Sequence, residues 1–232
     1  MQIHGFAKTT LLDYPKHVAS TIFTGECNFR CPFCHNGDLV LNPSSLPEIS
    51  ESQILSFLER RKNILDGVCI TGGEPTLQKD LPDFIKKIKD LGLLVKLDTN
   101  GYRPDVLEHL ISENLLDYVA MDIKNSPEKY AMTCGVVNFD LNRISSSISL
   151  LINGPIPFEF RTTVANPLHD EKDFEAIGSW VKGATAYYIQ SYKESEYVIS
   201  KEFSPYTIDT LNHFKNILLQ YVPVVELRGV DD

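Results

Sequence analysis

Three cysteines lie within eight residues, in the run Cys27-Asn28-Phe29-Arg30-Cys31-Pro32-Phe33-Cys34-His35. Thiolates this close on a short loop can converge on one soft metal centre. A structural zinc takes four ligands, usually at C-x2-4-C and H-x3-5-H spacings. His35 is the obvious local fourth ligand, but it follows Cys34 directly and falls outside those spacings. An ordinary iron–sulfur cube is held by four cysteines. Three thiolates on such a cube would leave one iron open to another ligand, and an open iron is a place for catalysis. No catalytic acid–base pair stands out beside this cluster motif.

Chemistry at such a loop needs a scaffold that holds other polar groups around it. With 232 residues, 43% of them hydrophobic and 23% charged, the chain can bury one substantial core and is expected to form a single domain. The expected division is an N-terminal stretch 1–17, a core of about 18–192, and a C-terminal helix and strand within 207–228. A formal charge of −9 without a long basic run argues against nucleic-acid binding. There is no apolar run of membrane-spanning length and no signal-peptide start, so a cytoplasmic location is expected. Five cysteines, three of them clustered, do not make a secreted disulfide framework. Cys69 sits in an apolar run and reads as a buried strand residue. Cys134, before Gly135, reads as more exposed and without a cysteine partner nearby. His4, His17, His109, His169 and His213 show no ligand spacing and read as surface residues.

Short β-rich runs alternate with amphipathic segments. Strands are expected at Val18–Phe23, Val68–Thr71, Leu93–Asp98, Tyr118–Asp122, Phe158–Val164, Tyr187–Gln190 and Val224–Leu227. Most are continuous apolar runs, as in parallel strands covered on both faces. Helices are expected after the capping-box pattern at Ser50–Gln53, through Leu81–Leu91 with Gly92 as cap, and after Pro104. Two more are expected over Asp170–Lys182 and roughly Thr207–Tyr221. Repeated strand–helix units imply right-handed crossovers and parallel strands, an α/β fold of the partial (β/α)6 barrel kind.

The polar motifs fall at the carboxyl ends of these strands, where such folds place their sites. After the second strand comes Thr71-Gly72-Gly73-Glu74-Pro75. Its glycines would let backbone approach a ligand, and its carboxylate could receive an ammonium group. Asp98 and Asp122 end adjacent strands, where two carboxylates would repel unless a cation sat between them. Arg161 enters an otherwise β-branched strand, and a guanidinium inside a barrel normally needs an anion.

The cysteine triplet, with aromatic Phe33 before its third member, is similar to the signature loop of the radical S-adenosylmethionine (SAM) superfamily. Gly72-Gly73-Glu74-Pro75 looks like that family's GGEP motif. The resemblance implies a [4Fe-4S] cluster on Cys27, Cys31 and Cys34, with SAM chelating the open iron through its amino and carboxylate groups. An electron from the cluster would then cleave the sulfonium to a 5′-deoxyadenosyl radical, an oxygen-sensitive chemistry. It also implies SAM contacts at Phe33, Cys34, His35, Gly72, Gly73, Glu74, Lys124 and Arg161, with Gln190 and Lys193 facing the adenosine.

The Asp98-Thr99-Asn100-Gly101 and Asp122-Ile123-Lys124 runs resemble the activating enzymes of glycyl-radical enzymes, pyruvate formate-lyase activase among them. By that resemblance Asp98, Thr99, Asp122 and the Ala120 carbonyl would hold K⁺ or Na⁺ near the SAM carboxylate. The stretch Gly5 to Pro15, the Arg161-Thr162-Thr163 strand and the ending Glu226-Leu227-Arg228-Gly229 are similar to anaerobic ribonucleoside-triphosphate reductase activating proteins. One departure is Lys16-His17, where that family usually has glycine after the proline. The resemblance implies an oxidoreductase that installs a radical on a glycine of anaerobic ribonucleotide reductase, with flavodoxin or ferredoxin as reductant. A radical SAM enzyme acting on a small molecule, such as a pterin-forming enzyme, and a non-catalytic metal-binding docking module are the rival readings.

Overall fold

A computed structural model describes residues 1–230. They divide into two compact units. The first comprises Met1–Asn28, Asp38–Ala120 and Pro155–Pro157; the second comprises Phe29–Gly37, Met121–Gly154 and the chain from Phe158 onward.

In the first unit, β1 (Ile3–Thr10) pairs antiparallel with β2 (Ala19–Thr24), and β3 (Gly67–Gly72) and β4 (Leu94–Thr99) continue in parallel. The parallel strands carry buried residues on both faces, Val68, Cys69 and Ile70 in β3 and Val95, Lys96 and Leu97 in β4, as the continuous apolar runs require. β1 is not foreseen from the sequence. It carries few large apolar residues, has Gly5 in its middle, and pairs with register shifts on either side of Gly5–Ala7. Such a half-exposed edge strand leaves little pattern to read.

The helices of this unit are α1 (Gly37–Leu41, all but its first residue), α2 (Glu51–Arg61), α3 (Leu81–Asp90) and α4 (Pro104–Ser112). Ser50 and Gln53 form the expected capping box at the start of α2. α3 buries Leu81, Phe84, Ile85 and Ile88 completely, each worth ~1.5–3 kcal/mol relative to exposure. Lys16, the residue standing where glycine is usual, has φ of 67°. The turn therefore keeps the left-handed conformation that glycine serves best, at a steric cost to a lysine.

β5 (Tyr118–Asp122) gives its last two residues to the second unit. That unit also holds α5 (Tyr130–Cys134), α6 (Leu141–Asn153), β6 (Phe158–Val164), α7 (Glu171–Trp180), β7 (Tyr187–Ser191), α8 (Ile208–Leu218) and β8 (Val225–Arg228). β6, β7 and β8 are parallel neighbours. Asp170 caps α7 through a capping box and Thr207 caps α8, so both expected helices begin where their patterns do. α6 has no counterpart in the sequence reading. Its buried stripe is Ile144, Ser147, Ile148 and Leu151, and the serine-rich stretch hides the helical period. The α/β class and the parallel strands expected of the fold are present. Among the described residues no helix is long and apolar enough to cross a membrane.

Candidate active site

In the first unit, the chain leaving β2 and the chain leaving β3 are tied together ahead of Cys27. The Gly73 amide donates to the Thr24 carbonyl at 2.8 Å, and the Glu74 amide donates to the Glu26 carbonyl at 2.8 Å. A Cβ on Gly73 would lie 1.9 Å from the Glu26 carbonyl oxygen. Gly72 has φ of 117°, and a Cβ there would meet the Thr24 backbone at 2.4 Å. The two glycines are thus already required by the approach of this backbone to the start of the cysteine loop.

Glu74 is 1% exposed, and four protein donors reach its carboxylate. Oε1 accepts from the Thr76 amide at 3.1 Å, the Thr76 hydroxyl at 2.5 Å and the Thr99 hydroxyl at 2.8 Å. Oε2 accepts the Asn100 amide at 2.7 Å and has room for one further donor. Burial pushes the Glu74 carboxyl up, against the pull of these hydrogen bonds. Glu74 therefore joins the turn at Pro75 to the end of β4, with one acceptor position left for an ammonium.

Asn100 extends the same network to Cys27. Its side-chain nitrogen donates to Asn28 Oδ1 at 2.8 Å and lies 3.8 Å from Cys27 Sγ. In the sequence Asn100 is only one member of the Asp98–Gly101 run, and Asn28 carries no motif of its own. Lys96, buried at 2% exposure, pairs with Asp98 and lies 3.7 Å from Cys69 Sγ. Cys69 is fully buried in β3, as expected.

The second unit carries Cys31 and Cys34. Lys124 Nζ donates to Asp122 Oδ2 at 2.7 Å, and Arg161 pairs with Asp122 Oδ1. Two cations on one carboxylate leave one net positive charge. Burial disfavours the charged forms of Asp122 and Lys124, but their pairing overcomes it. Asp122 is held below the usual carboxylate range by Arg161 and Lys124, and Lys124 is raised by Asp122 and by the Cys31 and Cys34 thiols. A hydrogen bond from Cys134, then opposition from burial, then the field of Lys124 set the Cys31 thiol below its ordinary value. Burial raises Cys34.

Cys134 is fully buried, contrary to the expectation of exposure, and it stands beside Cys31 rather than apart from other cysteines. Its carbonyl accepts the Arg30 amide at 2.7 Å. Gly135 follows with φ of 62°, and a Cβ there would sit 2.7 Å from the Arg30 carbonyl oxygen. The end of α5 thus braces the cysteine loop through backbone contacts that a sequence pattern cannot display. His169 is also buried, not at the surface. Its Nε2 contacts the Lys124 carbonyl at 2.9 Å, and its ring lies 6.3 Å from Phe33. Phe33 is 3% exposed and also packs on Phe203. His35 Nε2 meets the Lys193 carbonyl at 2.5 Å, which joins two residues expected at the SAM site. Gln190 lies on β7 opposite Thr163 and Arg228.

The two aspartates expected to share a monovalent cation each have a cationic side chain beside them. Asp98 has Lys96, and Asp122 has Lys124 and Arg161, so neither carboxylate depends on an added ion for charge balance. Thr99 spends its hydroxyl on Glu74 and on the Gly101 amide at 3.1 Å. Among the described residues no group of three or more His, Cys, Asp or Glu is gathered to hold a single ion. An iron–sulfur cube makes a different demand, since each thiolate takes its own iron. The soft donor set fits it. So does a buried amide nitrogen next to Cys27, Asn28 Nδ2, which has no partner within the protein.

The parallel α/β architecture, the buried Gly72-Gly73-Glu74-Pro75 turn and the three-cysteine motif are the features by which the chain is compared with known enzymes. A profile of the radical SAM superfamily matches residues 21–176, and the chain belongs to that superfamily, whose enzymes use a [4Fe-4S] cluster and SAM. The Methanocaldococcus jannaschii protein MJ1227, named as a glycyl-radical enzyme activating enzyme, is 32% identical over 99% of this chain and 96% of its own length. A Thermococcus kodakarensis protein named as a GTP 3′,8-cyclase is 32% identical over 70% of this chain and 52% of its own. The pyruvate formate-lyase-activating enzyme of Clostridium pasteurianum is 33% identical over 53% of this chain and 52% of its own. The chain thus spans about half of the last two relatives. Among solved structures, Streptococcus suis SuiB shares the fold, with a TM-score of 0.71 at 14% identity over 90% of this chain and 48% of its own.

Proposed function

We propose that this chain is a glycyl-radical-enzyme activase that takes a hydrogen atom from a backbone glycine of a partner protein. The observation that carries the reading is the match to MJ1227 along nearly the whole of both chains. Cys27, Cys31 and Cys34 would hold the [4Fe-4S] cluster. When bound, that cluster supplies one electron, which reductively cleaves SAM to methionine and a 5′-deoxyadenosyl radical.

The chain's own residues position and shield. The free acceptor position of Glu74 receives the SAM ammonium. The net positive charge of Lys124, Arg161 and Asp122 meets the SAM carboxylate, and His35, Gln190 and Lys193 flank the adenosine. Hydrogen-atom transfer needs no general acid or base, which agrees with the absence of a catalytic pair from the motifs. The remaining task is to fix distances and exclude water. The proposed partner is anaerobic ribonucleotide reductase, with flavodoxin or ferredoxin as reductant, on the sequence resemblance of the N-terminal stretch.

The GTP-cyclase relative favours a second reading, small-molecule chemistry on a nucleotide. Reconstituted chain, reductant and SAM, mixed anaerobically with either anaerobic ribonucleotide reductase or GTP, separates the two. A glycyl-radical doublet in the electron paramagnetic resonance (EPR) spectrum of the reductase is the expected result. Consumption of GTP with no protein radical would replace this reading by the second.

A further inference from the structure

The end of β4 and the first cysteine are joined by two side-chain amides whose orientation the structure fixes. The Tyr102 amide donates to Asn100 Oδ1 at 3.0 Å, so Asn100 turns its nitrogen the other way. That nitrogen donates to Asn28 Oδ1 at 2.8 Å and faces Cys27 Sγ at 3.8 Å. Asn28 Oδ1 also lies 3.9 Å from Cys27 Sγ, so Asn28 presents Nδ2 on the side away from both Asn100 and that sulfur, where it is buried and has no partner in the protein. Flipping Asn28 would set two NH2 groups against each other. Asn100 is 5% exposed, so its donor is desolvated as well. A buried N–H without an acceptor is costly, and structures rarely keep one without a reason.

We propose that Asn100 and Asn28 form a pair of hydrogen-bond donors to anionic sulfur at the Cys27 end of the cluster, Asn100 to the cysteine thiolate and Asn28 to an inorganic sulfide. Asn100 is then a positioning residue with two reaches. Its backbone N–H holds Glu74 at 2.7 Å, and its side chain holds the sulfur that Cys27 provides. Hydrogen bonds to cluster sulfur stabilise the more negative, reduced state and so raise the reduction potential. This inference rests on the [4Fe-4S] reading of the three cysteines.

The test compares wild-type, Asn28→Ala, Asn100→Ala and Asn100→Asp proteins after anaerobic reconstitution. Iron and sulfide are counted, and the potential is read by EPR-monitored redox titration. Asn100→Asp keeps the oxygen that receives the Tyr102 amide but exchanges the donor for an anionic oxygen, so it should shift the potential further than Asn100→Ala does, and the neutral Asn28→Ala and Asn100→Ala variants carry the test of the donors themselves. Each variant should retain ~4 irons and shift the reduction equilibrium at least about threefold toward the oxidised cluster, ~30 mV at 59 mV per tenfold for one electron. Potentials equal to wild type in fully loaded variants would overturn the proposal. So would loss of iron from Asn100→Asp alone, which would make the residue a requirement for assembly. Failure of wild type itself to take up four irons would instead overturn the cluster reading beneath it.

Discussion

Replacing Glu74 with Gln separates a carboxylate that builds the turn from one reserved for a ligand. The side chain has nearly the same shape, but one oxygen becomes an NH2. Placed at Oε1, that NH2 would face three donors; placed at Oε2, it would face one, the Asn100 amide. The glutamine should therefore turn its NH2 toward Asn100. One charge-assisted hydrogen bond is lost and a buried N–H is left unpaired, at a cost of about 1.5–3 kcal/mol. For a chain of this size that lowers Tm by about 3–12 °C. The assay is a thermal melt of the protein without cluster or SAM, followed by calorimetry with SAM on reconstituted protein. The fall in Tm should appear before any ligand is added, and SAM binding should weaken as well. A wild-type Tm in the ligand-free Gln variant would refute the four-donor account, and Glu74 would then serve the ligand alone.

Gly135→Ala should lower the stability of the ligand-free protein by about 1–3 kcal/mol in denaturant titration, because φ is 62° and the new Cβ meets the Arg30 carbonyl; an unchanged midpoint would show that α5 does not brace the cysteine loop. Asp122, whose carboxyl is held low, stabilises the fold fully above the unfolded carboxylate pKa near ~3.9 and loses that contribution as pH falls from there down through its depressed folded value. Wild type should accordingly lose unfolding free energy below about pH 4 more steeply than Asp122→Asn, which should already be weaker by about 1–3 kcal/mol at neutral pH; parallel pH curves would dismiss the Lys124–Asp122–Arg161 group as a stabilising unit. Cys31→Ala should abolish the visible cluster absorption and SAM cleavage, whereas Cys69→Ala should keep the cluster and lose only ~1–3 kcal/mol of packing; wild-type SAM cleavage by Cys31→Ala would end the cluster assignment.

The parts of this site that carry their meaning in residue type and spacing were legible in the sequence. Cys27, Cys31 and Cys34, the Gly72-Gly73-Glu74 turn after a strand, and the caps at Ser50, Asp170 and Thr207 are local signals. The glycines and the caps stand where their backbone geometry requires. What stayed hidden is set by long-range contact. Nothing near Cys134 announces that it meets Cys31 across more than 100 residues, and His169 resembles any loop histidine until it is found buried on the Lys124 carbonyl. Charge balance is only partly of this long-range kind. Arg161 reaches Asp122 across 39 residues, whereas Lys96 and Lys124 stand two residues from Asp98 and Asp122 and their pairing with them is a local contact. β1 and α6 escaped because an edge strand and a serine-rich helix both dilute the apolar period.

The central claim, abstraction of hydrogen from a partner's glycine, is tested most directly by isotope transfer. Anaerobic ribonucleotide reductase containing glycine deuterated at the α-carbon is incubated with reconstituted, reduced protein and unlabelled SAM, and the released 5′-deoxyadenosine is weighed by mass spectrometry. The account predicts 5′-deoxyadenosine carrying one deuterium, in step with growth of the glycyl-radical signal. Unlabelled 5′-deoxyadenosine and no protein radical, from a preparation that cleaves SAM, would contradict it.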